Sequence, residues 1–343
     1  MSRAVSKSRV RAAMPALQLH RTARLPHANA LQPVLAWIRA VVLLGSVLVC
    51  ASPAIAQRSA VTRPTDAGPR LAFATPEALV DAFVDAVRRD DESDLAKLFG
   101  PDFRKFAPRP ENSSELRQDF LEAYAASHKI VLDGDKAILE AGKDGWTLPV
   151  PIVKTAKGWT FDIAAGAETL RLRAIGRNEL ATMQALLAIV DAQQEYAMMD
   201  PMKTGTTQYA RRLLSSPGKK DGLYWDQGPG DLESPLGDML AKSQTGSIFQ
   251  GDGYFGYRYR LLYAQGPHAR GGAKQYIVGN RMVAGFAAIA SPVRYGESGV
   301  MTFMVSQDGV VYEKDLGPNS WRAAADIQSF DPDESWAKSD ISP

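Results

Sequence analysis

The stretch Asn178-Glu-Leu-Ala-Thr-Met-Gln-Ala-Leu-Leu-Ala-Ile-Val-Asp-Ala-Gln-Gln-Glu-Tyr-Ala-Met-Met199 decides the fold. Leu180, Met183, Leu187, Val190 and Gln194 or Tyr196 recur at helical spacing, with Glu179, Gln193 and Glu195 around them. That pattern predicts a long amphipathic helix whose stripe lies on other structure. The Met and Leu of the stripe read as core rather than as cofactor contacts.

Strand signals follow the helix. Gly256-Tyr-Arg-Tyr-Arg-Leu-Leu-Tyr263, Met282–Ser291, Gly299–Ser306 and Val310–Lys314 predict an antiparallel sheet. Gln307-Asp308-Gly309 joins the last two, because Asp-Gly tolerates the positive φ of tight turns. Residues 200–250 are rich in Gly, Pro, Ser and Asp and read as a long ordered loop with a short helix near Tyr209–Leu214. A loop of that length inside a domain tends to carry function or lack order.

Before the helix lies a second unit. Thr75-Pro76-Glu77 is a helix start, N-cap followed by Pro, and Leu79, Val80, Phe83, Val84 and Val87 continue it. Asp94–Gly100 and residues 113–127 predict two more helices. Strands are predicted at Lys136–Glu140, Thr147–Lys154 and Gly158–Asp162. Pro149 and Pro151, between Trp146 and Trp159, cannot donate to a central ladder and imply an edge or a bulge. Helices followed by a curved antiparallel sheet over roughly residues 75–168 are similar in outline to the nuclear-transport-factor-2-like fold. The fold class is therefore α+β, with residues 75–170 and 171–336 as two units and 337–343 as a tail.

Residues 1–56 contain Arg3, Lys7, Arg9, Arg11, Arg21, Arg24 and Arg39 and no acid. An apolar run, Ala40–Cys50, and Ala54-Ile55-Ala56 follow, which together form a secretory signal with cleavage expected before Gln57. The apolar run is too short to span a bilayer, so no stable membrane span is expected after cleavage. Residues 57–74 read as a flexible leader. Cys50, the only cysteine, leaves with the signal. Loss of seven Lys/Arg leaves 33 basic against 38 acidic residues, a net charge near −5. A mildly acidic chain argues against nucleic-acid binding. With only His128 and His268 remaining, far apart, a His-rich zinc site is not expected, and no metal or cofactor is assigned. Asp331-x-Asp333-Glu334 and Asp133-Gly134-Asp135 lack the EF-hand loop and read as turn or cap acids.

Two patterns bear on chemistry. Ser216-Pro-Gly-Lys219 has the S-x-x-K spacing of serine acyl-enzymes, in which a lysine one helical turn away activates the serine. Pro217-Gly218 disfavours the helix that spacing needs, so a turn is the competing reading. Tyr224, Trp225, Tyr254, Phe255, Tyr257 and Tyr259 are interleaved with Gly and Arg. Tyr224, Trp225 and Tyr254 are the candidate ligand platform; packing of the sheet's inner face is the alternative for the strand members.

Ile175-Gly-Arg-Asn-Glu-Leu180, Asp191-Ala-Gln-Gln-Glu-Tyr196, Ser216-Pro-Gly-Lys219 with Asp221-Gly-Leu-Tyr-Trp225, Ser234-Pro-Leu-Gly237, Gly299-Val-Met-Thr-Phe303 and Asp308-Gly-Val-Val-Tyr-Glu-Lys-Asp-Leu-Gly317 carry a resemblance. From about Thr75 to Trp336 the chain resembles the bacterial exported family named domain of unknown function 2950, which implies export and no particular activity. More loosely, the Asn178-Glu179 helix carrying Ala192-Gln-Gln-Glu-Tyr196, a Gly-rich irregular stretch, Gly256-Tyr-Arg-Tyr-Arg-Leu261 and a closing hairpin with Asp308-Gly-Val310 make residues 176–316 resemble the globular part of type IV pilins and pseudopilins. It departs from them in that a polar unit of about 100 residues stands where pilins carry an apolar helix. The expectation is a non-enzymatic periplasmic or secreted protein that binds an envelope protein or ligand. A serine acyl-enzyme using Ser216 and Lys219, and a pseudopilin-like subunit, are the alternatives.

Overall fold

Helix α1 (Pro76–Arg89) begins where the sequence places it. The Thr75 hydroxyl accepts the Ala78 N–H at 3.2 Å, and Pro76 fills the first turn, where its missing N–H costs nothing. The structure, a computed structural model, describes residues 70–101, 103–105, 109–237 and 253–340. The expected signal peptide and residues 57–69 of the leader lie outside the described residues.

Leu79, Val80, Phe83 and Val84 bury one face of α1. Helix α2 (Glu92–Phe99) is capped by the Asp91 carboxylate on the Asp94 N–H. Helix α3 (Ser113–Ala126) buries no residue fully, although Phe120, Leu121 and Tyr124 lean on the core beneath. Strands β1 (His128–Asp133), β2 (Lys136–Ala141), β3 (Trp146–Thr147), β4 (Ile152–Thr155) and β5 (Gly158–Phe161) then build an antiparallel sheet in the order β1-β2-β4-β5, with β3 also on β2. The single strand expected over 147–154 is two, because Pro149 and Pro151 remove the donors between them. The end of the expected leader is not free. Phe73 exchanges two main-chain hydrogen bonds with Trp159, and Arg70 Nη1 donates to the Phe161 carbonyl at 3.1 Å. The first core centres on Phe83, Phe99 and Phe161, the last two stacked at 4.5 Å.

Helix α4 (Ile163–Met199) has 37 residues and starts fifteen before the expected Asn178. The Asp162 carboxylate caps it on the Ala165 N–H, directly after β5, so the expected boundary at 171 falls inside one helix about 55 Å long. Gly166 sits against Val150, where a Cβ would press on the valine side chain, and Arg173 donates to the Thr147 carbonyl and hydroxyl. Further along, Leu186, Ile189, Val190, Gln193 and Tyr196 are buried while Leu180 is 38% exposed. The buried stripe is thus rotated from the expected one. Paired apolar neighbours (Leu186-Leu187, Ile189-Val190) leave that rotation open in sequence. The polar side chain of Gln193 lies on the buried face with them.

Gln193 Oε1 accepts the Ala210 N–H at 2.8 Å and Nε2 donates to the Ala210 carbonyl at 2.9 Å. Both main-chain groups of Ala210 are thereby used, and the short helix expected at Tyr209–Leu214 does not form. The segment is extended: Tyr209 bridges Met282, and Leu213 accepts from the Tyr224 N–H.

The remaining strands are β6 (Tyr257–Leu262), β7 (Ala264–Gln265), β8 (Lys274–Gln275), β9 (Ile277–Val278), β10 (Arg281–Met282), β11 (Ala287–Pro292), β12 (Met301–Ser306) and β13 (Val311–Asp315). Helix α5 (Ser320–Asp326) and β14 (Ala337–Lys338) complete the described chain. The main sheet runs β14-β13-β12-β11-β6, antiparallel throughout. Alternate residues of β6 show its two faces. Tyr257 and Tyr259 reach Glu179 and Thr182 of α4, whereas Arg260 donates to the Ala324 and Ile327 carbonyls at the end of α5. Residues 337–339 of the expected tail join this sheet, since β14 pairs with β13 and the Ser339 N–H donates to the Val311 carbonyl. A second core, from Ala185 to Phe330, fills the space between α4 and the sheet. The α+β class and the helix-on-sheet arrangement are as expected.

Candidate functional site

The backbone at Tyr254-Phe255-Gly256-Tyr257 makes a two-residue hairpin turn: Tyr254 and Tyr257 exchange N–H···O bonds of 2.9 and 3.1 Å. Both central residues have positive φ, 51° at Phe255 and 73° at Gly256. Such turns favour Asn, Asp or Gly at these places. Gly256 meets the demand and is also sterically required, since a Cβ there would lie 2.6 Å from Ser298 Cβ. Phe255 does not meet it. A bulky residue in the left-handed region costs about 1–3 kcal/mol. The residue is nonetheless 47% exposed, so full burial does not explain its presence.

The turn rests on a rigid base. Asn178 Nδ2 donates to the Ser298 carbonyl at 2.8 Å, and Glu179 Oε1 accepts the N–H groups of Val300 and Met301 at 2.8 and 3.0 Å. Tyr259 Oη donates to Thr182 Oγ1 at 3.2 Å. These bonds fix the β11–β12 loop and β6 to α4. Tyr254 is half-buried between Tyr259 and Phe255, with the Phe255 ring edge-on at 4.4 Å. Burial raises the Tyr254 phenol above its ordinary range. Of the three expected ligand-contact residues, Tyr254 therefore lies beside an exposed ring.

Tyr224 and Trp225 do not form an exposed platform. They are 9% and 4% exposed and belong to the second core. Trp225 Nε1 donates to the Leu232 carbonyl at 2.9 Å and its ring meets Tyr196 edge-on. Pairing of Leu223 and Tyr224 with Arg212 and Leu213 folds this loop onto the end of α4. Tyr196, beneath it, donates to the Lys220 carbonyl at 2.6 Å; burial, then Asp221 and Asp200, push its phenol up to about 12.

Ser216 and Lys219 sit in a turn, not on a helix: the Lys219 N–H donates to the Ser216 carbonyl at 2.9 Å. The Ser216 hydroxyl donates to Asp221 Oδ2 at 2.9 Å and its N–H to Oδ1 at 2.7 Å. Burial opposes ionisation of Asp221, but these bonds and Arg212 outweigh it and hold the carboxyl below the usual range. The arrangement ties a loop, and the carboxylate that the hydroxyl meets is held ionised as a weak base.

The two histidines serve different regions. His268 Nδ1 lies 3.1 Å from both Asp331 carboxylate oxygens, and its main-chain N–H donates to Oδ1 at 2.8 Å. His128 stacks on Tyr124 at 3.8 Å at the rim of a recess of about 210 Å³ with Glu77, Asp81 and Ile130. Among the described residues no group of three or more His, Cys, Asp or Glu is placed to hold a metal ion. Asp333 instead accepts the Ser335 N–H, and Asp133-Gly134-Asp135 spans the β1–β2 turn. None of the described helices is long and apolar enough to cross a membrane.

Fold and site define a two-core α+β protein with one long helix common to both halves and an aromatic turn at the edge of its second sheet. The chain belongs to the family described as "Protein of unknown function (DUF2950)", whose family model matches residues 70–339. No curated protein and no solved structure matches it.

Proposed function

We propose that this chain is a non-enzymatic binding protein, acting in the periplasm or outside the cell, that engages an envelope protein or ligand through the Tyr254-Phe255 turn. One observation carries the reading: Phe255 holds a left-handed backbone that asparagine or glycine would adopt at lower cost, and the residue is left about half exposed. Strain that the fold does not need is commonly kept where a side chain must meet a partner. An aromatic ring supplies contact area with little loss of side-chain freedom, which suits an apolar or aromatic receptive surface. Tyr254 would widen that contact. Export rests on the basic, acid-free segment before Ala40, the apolar run and the Ala54-Ile55-Ala56 site.

The test compares the immobilised wild-type chain with Phe255→Asn in capture from envelope extracts. A component retained by the wild type and lost by a variant that melts at the same or higher temperature supports the reading. Equal capture by both removes the turn from it. Mass analysis of the processed chain should place its first residue at Gln57.

A further inference from the structure

Strand β1 reads His128-Lys-Ile-Val-Leu-Asp133 and, apart from half-buried Ile130, every residue in it is exposed. It is an edge: among the described residues, only β2 pairs with it. The Gly142 N–H donates to the Ser127 carbonyl at 2.8 Å, which sets the alternation of the ladder. Lys129, Val131 and Asp133 therefore turn their main-chain groups toward β2, and His128, Ile130 and Leu132 turn theirs outward. Natural edges are usually blunted by proline, a bulge, brevity or charged side chains, lysine above all. This one has six residues, no proline and no bulge; its lysine, Lys129, is paired with Glu140 of β2, and Val131 is 40%, Leu132 56% and the neighbouring Ile138 40% exposed.

We propose that this edge pairs antiparallel with the same edge of a second copy of the chain, on a two-fold axis through Val131. The cross-strand pairs of the outer face supply the argument. Glu140 is opposite Lys129, with Nζ–Oε2 2.9 Å; Ile138 is opposite Val131; Lys136 is opposite Asp133. Turning this face about Val131 gives three continuous rows across the two copies. The middle row is Ile138, Val131, then Val131 and Ile138 of the second copy. The flanking rows are Glu140, Lys129, then Asp133 and Lys136 of the second copy, with charges alternating minus, plus, minus, plus. On the other face Ile130 meets Leu132 of the second copy, and these residues carry the outward main-chain groups, so four N–H···O bonds close the pair. A one-residue slip would set inner faces against outer ones. A two-residue slip would put Lys129 in one direction, or Asp133 in the other, opposite Val131 of the second copy, breaking the apolar row and the Lys129–Asp133 pairs. The pattern is self-complementary in one register.

The full chain, purified as its host processes it, is examined by sedimentation over a concentration series. The expected result is a shift from one-copy to two-copy mass with rising concentration. Val131→Lys, which sets like charges on the axis, should remain at one-copy mass where the wild type is at two, with an unchanged circular dichroism spectrum. In a Cys50→Ser background, Val131→Cys should oxidise to a covalent two-copy product, because non-hydrogen-bonded antiparallel pairs bring Cα atoms to about 4.5 Å, within disulfide range. Ile138→Cys, one strand removed from the axis, should not. On the wild type itself, exchange of the Ile130 and Leu132 amides should slow as concentration rises. One-copy mass throughout, concentration-independent exchange of those amides, or equal cross-linking at 131 and 138 would each overturn the proposal.

Discussion

The phenol of Tyr257 lies over Gly299 so closely that any side chain at 299 would overlap the ring. Tyr257 is fully buried and its hydroxyl donates to the Met301 carbonyl at 2.9 Å, so the ring has nowhere to move. Gly299→Ala should destabilise the fold by about 2–3 kcal/mol through overpacking of a rigid site. Urea unfolding measures this; a change under half a kilocalorie would mean the loop yields.

Gln193 holds the 203–215 segment open by occupying both main-chain groups of Ala210. Gln193→Leu keeps the volume and leaves a buried N–H and C=O without their partner. A loss of about 2–4 kcal/mol is expected, with faster exchange at the Ala210 amide.

Glu313 on β13 should titrate in the opposite sense to Asp200 and Asp221, whose carboxyls are held below the ordinary range. Burial first, then the charges of Glu179 and Asp340, raise its pKa above the ordinary 4.5. A raised folded pKa means the protonated form is favoured in the fold, so that contribution is whole below about pH 4.5 and fades as pH climbs through the folded value. Glu313→Gln should therefore match the wild type near pH 4 and exceed it in stability near pH 7. Denaturation midpoints at the two pH values decide it, and an equal offset at both would contradict the sign.

Phe255→Asn separates fold from function. Asparagine tolerates the left-handed turn, so the variant should gain about 1 kcal/mol while losing partner capture. A loss of stability would show that the ring contact with Tyr254 outweighs the backbone strain.

Ser216 should give no adduct with a fluorophosphonate or a β-lactam by intact mass. Its hydroxyl is committed to Asp221. Asp221, with its pKa depressed, stabilises this loop above the ordinary carboxylate pKa of 3.8 and releases it as pH falls through the lower folded value. Labelling that disappears in Ser216→Ala would make the chain a serine acyl-enzyme.

Local signals were legible wherever a residue acts on its own neighbours. Thr75-Pro76 announces α1 and Asp308-Gly309 announces the β12–β13 turn, because caps and tight turns are decided within four residues. β1 was missed because an edge strand exposed on both faces shows no apolar alternation. The early start of α4 was missed because Gly166 and Gly176 resemble breaks, although one is required by contact with Val150. Of the aromatic residues, sequence could point to Tyr254 but could not tell it from Tyr224 and Trp225, whose burial depends on pairing with Arg212 and Leu213.

By itself the sequence determined the α+β class, the long helix on an antiparallel sheet and the family, since periodicity, turn chemistry and motif spacing are properties of order along the chain. Only the tertiary structure decided which face of α4 is buried, that Ser216 answers to Asp221 rather than Lys219, and that Phe255 stands exposed on a strained turn. Those outcomes depend on which partner a buried amide, a carboxylate or a ring meets once the chain has packed. The separations run from five residues for Ser216 and Asp221 to seventeen for Gln193 and Ala210, and several partners compete at each.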